Sequence, residues 1–405
     1  MTVSGKYLQT YGEPEIFALA NFPALQWNYC LLIPAYGEPA DFVDRLNNGL
    51  MARHSVLLIV VINRPDNNDH AEHLAANTQL HSHIRQLGEL CWQNANLELI
   101  RCAGSASAIV VVDRFSSQRI PPRQGVGLAR KIAGDLAATL IGRGQIASPW
   151  LFCTDADSHL PDNYFLAAAT DQGAALVYPF RHHCEDNDLG QATALYEHYL
   201  HHYVDGLKAA GSPYAFHTIG SIMAVHHRHY AMVRGFPKRA GGEDFYLLNK
   251  LAKTGAIISL NSPTIAITAR VSQRVPFGTG PAVEKILAMT NPSQDFKLHN
   301  PKIFEELKAW LATIPDLVAN NDALARLSHN SRNLLVAMGV ESAIDHCRQH
   351  SRTGAGFERQ MHTWFDGFRT LKYLQGLRAT EFPDIAISEL APRNSSNPVS
   401  RSGVP

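Results

Sequence analysis

Short apolar runs alternate with longer stretches of helical spacing over the first two thirds of the chain. Residues 55–63, Ser-Val-Leu-Leu-Ile-Val-Val-Ile-Asn, are continuous and rich in β-branched side chains, which predicts a strand buried on both faces. A second run, 29–34, is closed by Pro34, as a strand end can be. Further strands are expected at 97–102, 108–112, 150–153, 174–179, 219–225, 256–260 and 264–268. Helical spacing covers 40–53, 69–90, 125–141, 162–170, 190–210, 226–234 and 243–254, the last stopped by Gly255. This alternation predicts an α/β fold with a mostly parallel central sheet.

The pattern changes near 281. Residues 281–390 read as helices almost throughout, so a helical C-terminal module or extension follows an α/β domain over 29–280. Residues 1–28, with Pro14 and Pro23, read as an N-terminal arm or short helices. Residues 391–405 are Ser-, Pro- and Asn-rich with few large apolar groups, the composition of a disordered tail. The C-terminal helices also offer a surface for a homodimer.

Composition narrows the class. The chain has 405 residues, 45% hydrophobic and 18% charged, as expected of a globular protein with a sizeable core. Lys plus Arg and Asp plus Glu are both 36, which argues against a bulk electrostatic nucleic-acid binder. The six cysteines are scattered without a C-x-x-C pair, so a reduced, cytoplasmic setting is expected. No basic-then-apolar leader opens the sequence, and no apolar run reaches ~18–20 residues, so no transmembrane segment is expected.

Candidate chemistry gathers at the predicted strand ends, where open α/β sheets bind ligands. The run 150–153 stops at Thr154-Asp155-Ala156-Asp157. Two carboxylates two residues apart at a strand end share a side, and a hard cation between them and a phosphate would relieve their repulsion. The alternative is a solvated Asp-Ala-Asp turn. Likewise Glu243-Asp244 could simply complement the macrodipole in a first helical turn. The segment 34–38 and the loop 63–67 complete four polar clusters.

Taken together, their order resembles glycosyltransferases of the GT-A fold, close to family 2. Leu31-Leu32-Ile33-Pro34-Ala35-Tyr36-Gly37-Glu38 resembles the first-strand motif Ile-Pro-Ala-Tyr-Asn-Glu, with Gly37 in place of Asn. Gly125 to Gly134 resembles the family's Gly…Ala-Arg-Asn…Gly helix, with Lys131 in place of the Asn. Thr154-Asp155-Ala156-Asp157 resembles the Asp-x-Asp motif, and Gly241-Gly242-Glu243-Asp244 the Gly-Glu-Asp motif. The match spans 29–270 and leaves 281–405 unexplained.

The resemblance implies a metal-dependent, inverting transfer of a sugar from a nucleotide-diphosphate donor to the hydroxyl of a glycan, a lipid-linked or a small-molecule acceptor. Asp155 and Asp157 would hold Mg²⁺ or Mn²⁺, with Asp157 the direct ligand and Asp155 alternatively reaching the ribose or binding through water. Pro34, Tyr36 and Glu38 would line the nucleoside pocket. Asp66 would face the base, though Asn63-Arg64-Pro65-Asp66 departs from the usual Asp-Asp pair. Arg130 would reach the diphosphate or base. Arg270, Gln273 and Arg274, on the loop 269–280, could cover the phosphates, which Arg forks suit; the alternative is a solvated basic surface loop. Asp244 is the expected general base, with Glu243 next. A sugar-phosphate nucleotidyltransferase shares the architecture but expects a basic Gly-rich turn where Ala35 to Pro39 carries an acid. A non-catalytic nucleotide-sugar-binding scaffold is the third reading.

Twenty histidines invite a metal reading. His198 and His202 are one helical turn apart, but no H-E-x-x-H pattern accompanies them. Surface or acceptor-cleft positions are the expectation, with His217 or His299 the ones to test as an extra ligand. Tyr196, Tyr199, Tyr203 and Tyr214 could stack on an acceptor or pack in the core.

Overall fold

The computed structural model describes residues 3–67, 70–168, 171–271 and 278–390. It is an α/β protein around a nine-stranded sheet. The strands are β1 (Tyr29–Ala35), β2 (Val56–Asn63), β3 (Gly88–Asn94), β4 (Leu97–Cys102), β5 (Ala108–Arg114), β6 (Trp150–Cys153), β8 (Ala175–Val177), β10 (Met223–His226) and β11 (Ile257–Ser259). Three others, β7 (Ser158–His159), β9 (Phe180–His183) and β12 (Ile265–Thr268), form a separate small sheet. The large sheet runs β11-β8-β10-β6-β1-β2-β5-β4-β3.

The sheet is mixed rather than mostly parallel. β1 pairs in parallel with β2 and β6, β2 with β5, and β8 with β11. The pairings β3–β4, β4–β5, β6–β10 and β8–β10 are antiparallel. One cause is a hairpin hidden by its own chemistry. The helix expected over 69–90 ends at Gln86, and Gly88–Asn94 forms the edge strand β3. Much of that strand is exposed and polar, as an edge tolerates, so its sequence lacks a strand's apolar signature.

Other expected elements move by a few residues. Residues 40–53 form two helices, Asp41–Asn48 and Leu50–Arg53, broken at Gly49. The helix expected at 162–170 is a short 3-10 turn, Phe165–Ala168. The strand expected at 219–225 begins as the 3-10 turn Gly220–Ile222 and continues as β10. The run 264–268 does form a strand, β12, but outside the central sheet. The helix Thr279–Leu287 crosses the expected boundary at 280 and takes in Gly280. The expected tail 391–405 lies outside the described residues.

The core follows from the apolar runs. All of β2 is buried, and each large aliphatic side chain taken from water there contributes roughly 1.5–3 kcal/mol. The helix Gly125–Gly142 is buried over most of its length against β1 and β2. The N-terminal residues are not a loose arm. The helix Val3–Tyr11 packs on Gly125–Gly142 and His227–Met232, where Tyr7 donates to Asp135 at 2.5 Å.

The C-terminal helices form a second apolar core around Trp310, Phe357, Phe365 and Tyr373. Leu207 and Ala210, from the far end of the helix Asp188–Ala209 and just beyond it, belong to that core. The helical module is thereby joined to the sheet domain. Residues Lys297–Leu298 (β13) and Ile385–Ala386 (β14) tie its two ends together. Among the described residues no helix is long and apolar enough to cross a membrane.

Candidate active site

β1 and β6 are adjacent and parallel, and the chain leaves them in opposite directions across the sheet, β2 lying on the far side of β1. Their carboxyl ends therefore open a crevice, and the polar segments after both strands lie there. Thr154 N donates to Leu32 O at 3.1 Å, which sets Asp155 beside the segment following Pro34. In that segment Gly37 has φ +60, a left-handed conformation that Gly and Asn both tolerate. The exchange of Asn for Gly in the motif is thus conformationally conservative.

Arg130 is the centre of the crevice. It is 3% exposed on the helix Gly125–Gly142, and its Nε donates to Glu243 Oε1 at 2.9 Å while Nη2 donates to Asp155 Oδ1 at 2.7 Å. Burial works against its charge, but Asp155 and Glu243 outweigh that and hold it as guanidinium. Two features let it sit there. Gly127 lets this helix approach the 237–239 backbone, which a Cβ would strike, and Gly220 leaves room for the guanidinium itself. Lys131, one residue on, turns to Asp135 one helical turn away at 2.9 Å and is buried. The departure from the motif there serves the N-terminal helix, not the crevice.

Arg270 makes the second bridge. Its two terminal nitrogens donate to Glu38 at 2.7 and 3.0 Å, and its Nε lies 2.8 Å from Asp157 Oδ2. Thr268 N donates to Asp157 O at 2.9 Å, so the small sheet delivers Arg270 to the Asp pair. Arg274 and Gln273 lie outside the described residues.

Glu243 and Asp244 open the helix Glu243–Leu251 after Gly242, which has φ +70. Asp244 Oδ1 accepts from Phe245 N at 2.7 Å. Burial and then the Glu243 charge push Asp244 up to about 7, against the pull of Arg130. Burial also raises Glu243, with Arg130 opposing. The neighbouring acids have therefore separated: Glu243 is clamped by a guanidinium, and Asp244 is poised near neutrality.

These groups line one cavity of about 550 Å³. Pro34, Tyr36, Glu38, Arg130, Asp155, Asp157, Glu243, Asp244 and Arg270 all contribute. Asp66 does not. It is exposed, its N–H held by Ile120 O at 2.9 Å, and Asn63 and Pro65 reach the cavity instead. A bridge between Pro65 and Ile120 turns the chain there, and sequence spacing cannot register it.

The histidines divide. His182 and His217 line the cavity. His202, His226 and His299 are buried, contrary to a surface or cleft position. His202 Nε2 meets His299 O at 2.7 Å, His226 caps a helix, and His299 is held between Tyr199 and Asp384. Since His198 is exposed and His202 buried, that pair does not form a shared ligand face. The four tyrosines of the sequence pattern all reach the cavity. Sequence reasoning missed Gly367, Thr370 and Leu371, which come from the C-terminal module. It also missed Leu200, Val204 and Leu207, which extend the helical spacing of Tyr196 and Tyr203 and were legible on that ground.

The cavity's charge suits a hard cation. Five carboxylates, from Glu38, Asp155, Asp157, Glu243 and Asp244, face two guanidiniums, from Arg130 and Arg270. Asp155 and Asp157 are oxygen donors of the kind that Mg²⁺ and Mn²⁺ take alongside phosphate oxygens. Among the described residues no group of three or more His, Cys, Asp and Glu converges as a metal site.

No family model matches the sequence, and no curated protein matches it. One similar solved structure is the crystal structure of a mycobacterial protein, 13% identical over 74% of this chain and 83% of that one, with a TM-score of 0.28.

Proposed function

We propose that the chain is a glycosyltransferase of the GT-A kind, moving a sugar from a nucleotide-diphosphate donor to a hydroxyl acceptor with inversion. The observation that carries the reading is the division of labour between adjacent acids. Arg130 ties Glu243 to Asp155, while Asp244 beside them has a pKa of about 7 in the same cavity as Asp157. A general base is most useful near the working pH.

In this reading Asp244 takes the proton from the acceptor hydroxyl. The oxygen's lone pair forms the new bond to the anomeric carbon, and the carbon–oxygen bond to the diphosphate breaks, its electron pair leaving with the diphosphate. Arg130 and Arg270 supply positive charge on the leaving-group side. A divalent Mg²⁺ or Mn²⁺ ion held by Asp155 and Asp157 would add Lewis-acid stabilisation of the departing diphosphate. Pro34, Tyr36 and Asn63 offer the nucleoside its wall.

The test is a thermal-shift screen of nucleoside diphosphates and their sugars with and without Mn²⁺. A donor at 100 times its Kd stabilises the fold by about 2.7 kcal/mol. A Mn²⁺-dependent shift for one base is expected. Equal melting with every nucleotide sugar, with and without Mn²⁺, overturns the reading.

A further inference from the structure

Beside the acids and arginines of the donor chemistry, the cavity has a lining of rings and aliphatic side chains that this chemistry leaves unused, here called the chamber. One wall is the helix Asp188–Ala209, whose Tyr196, Leu200, Tyr203 and Leu207 recur at helical spacing and all line the cavity. Phe216 and, from the C-terminal module, Leu371 face the same space. Asp244 lines the same cavity and is near enough to both groups for its charge to act on Tyr196 and on Arg130.

The chamber offers ring and aliphatic surface. Tyr199 has its hydroxyl 3.0 Å from His299 Nε2, and His299 Nδ1 meets Asp384 at 3.1 Å. The Tyr214 hydroxyl donates to His362 O at 3.0 Å. With these hydroxyls committed to the C-terminal module, the two tyrosines present their rings. Asn249, a polar group on this wall, is also committed: its Nδ2 donates to Asp366 at 3.1 Å and its Oδ1 accepts from Gly367 N at 2.8 Å. Tyr196, Tyr203, His217 and Thr370 leave a few polar groups on the lining, enough for one or two hydroxyls; each further hydroxyl of a polyhydroxylated acceptor would lie against rings and aliphatic groups, at a desolvation cost.

Charge excludes an anion. The guanidiniums lining the cavity, Arg130 and Arg270, are bound to carboxylates at the donor end. Among the described residues no Lys or Arg lines the chamber. His217 is pushed down to about 4 by burial and by His201, so it is neutral at pH 7. A phosphorylated or carboxylated acceptor would meet acids without a counter-charge.

We propose that the acceptor is an uncharged alcohol or phenol whose apolar body fills this chamber and whose hydroxyl meets Asp244. The fate of that hydroxyl rests on the glycosyl-transfer reading, whereas occupancy of the chamber does not.

The experiment is a calorimetric titration of the full chain, without donor, using 2-naphthol, 1-octanol, glycerol and glycerol 3-phosphate. Binding of 2-naphthol or 1-octanol in preference to both polar probes is expected, and which of the two binds distinguishes an aryl from an alkyl acceptor. Leu200→Glu and Leu371→Glu should each weaken that binding roughly tenfold or more, because a carboxylate would stand unpaired in the chamber. Val204→Phe fills the space without adding charge and serves where a Glu variant does not fold. Preferential binding of glycerol 3-phosphate or glycerol, or undiminished alcohol binding in folded Val204→Phe, overturns the proposal. Failure of the donor screen leaves these titrations unchanged, so the two readings fall separately.

Discussion

Arg130 Nε donates to Glu243 Oε1 at 2.9 Å, joining positions 113 residues apart on two helices. Both side chains are almost fully buried, so neither charge can be left alone. Removing one partner of such a pair typically costs about 3–5 kcal/mol, while removing both costs less. Arg130→Ala should therefore lower stability by about that amount in chemical denaturation. The double variant Arg130→Ala, Glu243→Gln should recover part of it. Equal stability of Arg130→Ala and the unaltered chain would remove the clamp from the account.

Asp244 sets the pH dependence. Its pKa stands at about 7 in the folded chain against 3.8 ordinarily, so the folded state holds its proton where the unfolded state has lost it. This group's contribution to stability falls as pH rises from about 4 through 7 and is constant beyond. Sugar transfer should run the other way, rising with pH to a plateau above about 7 as the base form fills. Glu243→Gln removes the negative charge that helps raise Asp244, so the rising limb should move to lower pH. Asp244→Asn should abolish the limb and most turnover while the fold melts normally. A pH–rate profile on the three proteins checks all of this.

Arg270 and a cation have competing claims on Asp157. Arg270 is about one-third exposed and bridges Glu38 and Asp157, so it can be removed without opening a core. Arg270→Ala should tighten Mn²⁺ binding in the absence of nucleotide and weaken nucleoside diphosphate binding in its presence. Calorimetry in both orders of addition separates the effects. Loss of Mn²⁺ affinity in the variant would mean that Arg270 organises Asp157 and does not compete for it.

Much of this site was legible as residue types at strand ends, and little of it as pairings. The segments after β1 and β6 were found because apolar runs stop abruptly at Pro34 and Cys153, and the strand-end rule then gathers their acids. That Arg270 closes on Glu38, 232 residues away, has no trace in local periodicity. Asp66 falls outside the cavity lining for the same reason, because the turn at Pro65 depends on a bridge to Ile120. The start of β3 falls in the helix expected over 69–90 and its remainder in no expected element, because its exposed edge carries Glu89, Gln93 and Asn94 and no alternation survives. The C-terminal module was correctly read as helical, yet its place on the cavity wall depends on tertiary contacts alone.

One such contact joins the module to the acid helix. Asp366 accepts from Lys253 at 2.5 Å and from Asn249 at 3.1 Å, and Gly367 N donates to Asn249 at 2.8 Å. Burial raises the Asp366 pKa, but the hydrogen bonds from Lys253, Arg369 N and Asn249 outweigh it and hold the carboxyl below its ordinary 3.8. The stability this supplies is present above pH 3.8 and is lost as pH falls through the lower folded value. Asp366→Asn should cost about 1–3 kcal/mol at pH 7, and the deficit should shrink in acid. Urea melts at pH 7 and pH 3 give the comparison, and a deficit independent of pH would assign the loss to packing.

Gly220 supplies the last check on Arg130, because the glycine itself touches no substrate in the proposed chemistry beyond lining the cavity. A Cβ built there overlaps the guanidinium, with Cζ 2.8 Å away. An arginine free in solvent would swing aside at little cost, but this one is held at both Asp155 and Glu243. Gly220→Ala must therefore either break those ion pairs or move the 3-10 turn. A loss of roughly 1–3 kcal/mol is expected, as for other overpacked sites, together with weaker nucleoside diphosphate binding. Gly142→Ala is the matched control, since a Cβ there meets no heavy atom within 4 Å and its position ends the same helix. That variant should be neutral to about 1 kcal/mol more stable, with ligand binding unchanged. Equal behaviour of the two alanines in thermal melts and titrations would mean that Arg130 has a second rotamer serving the site equally well.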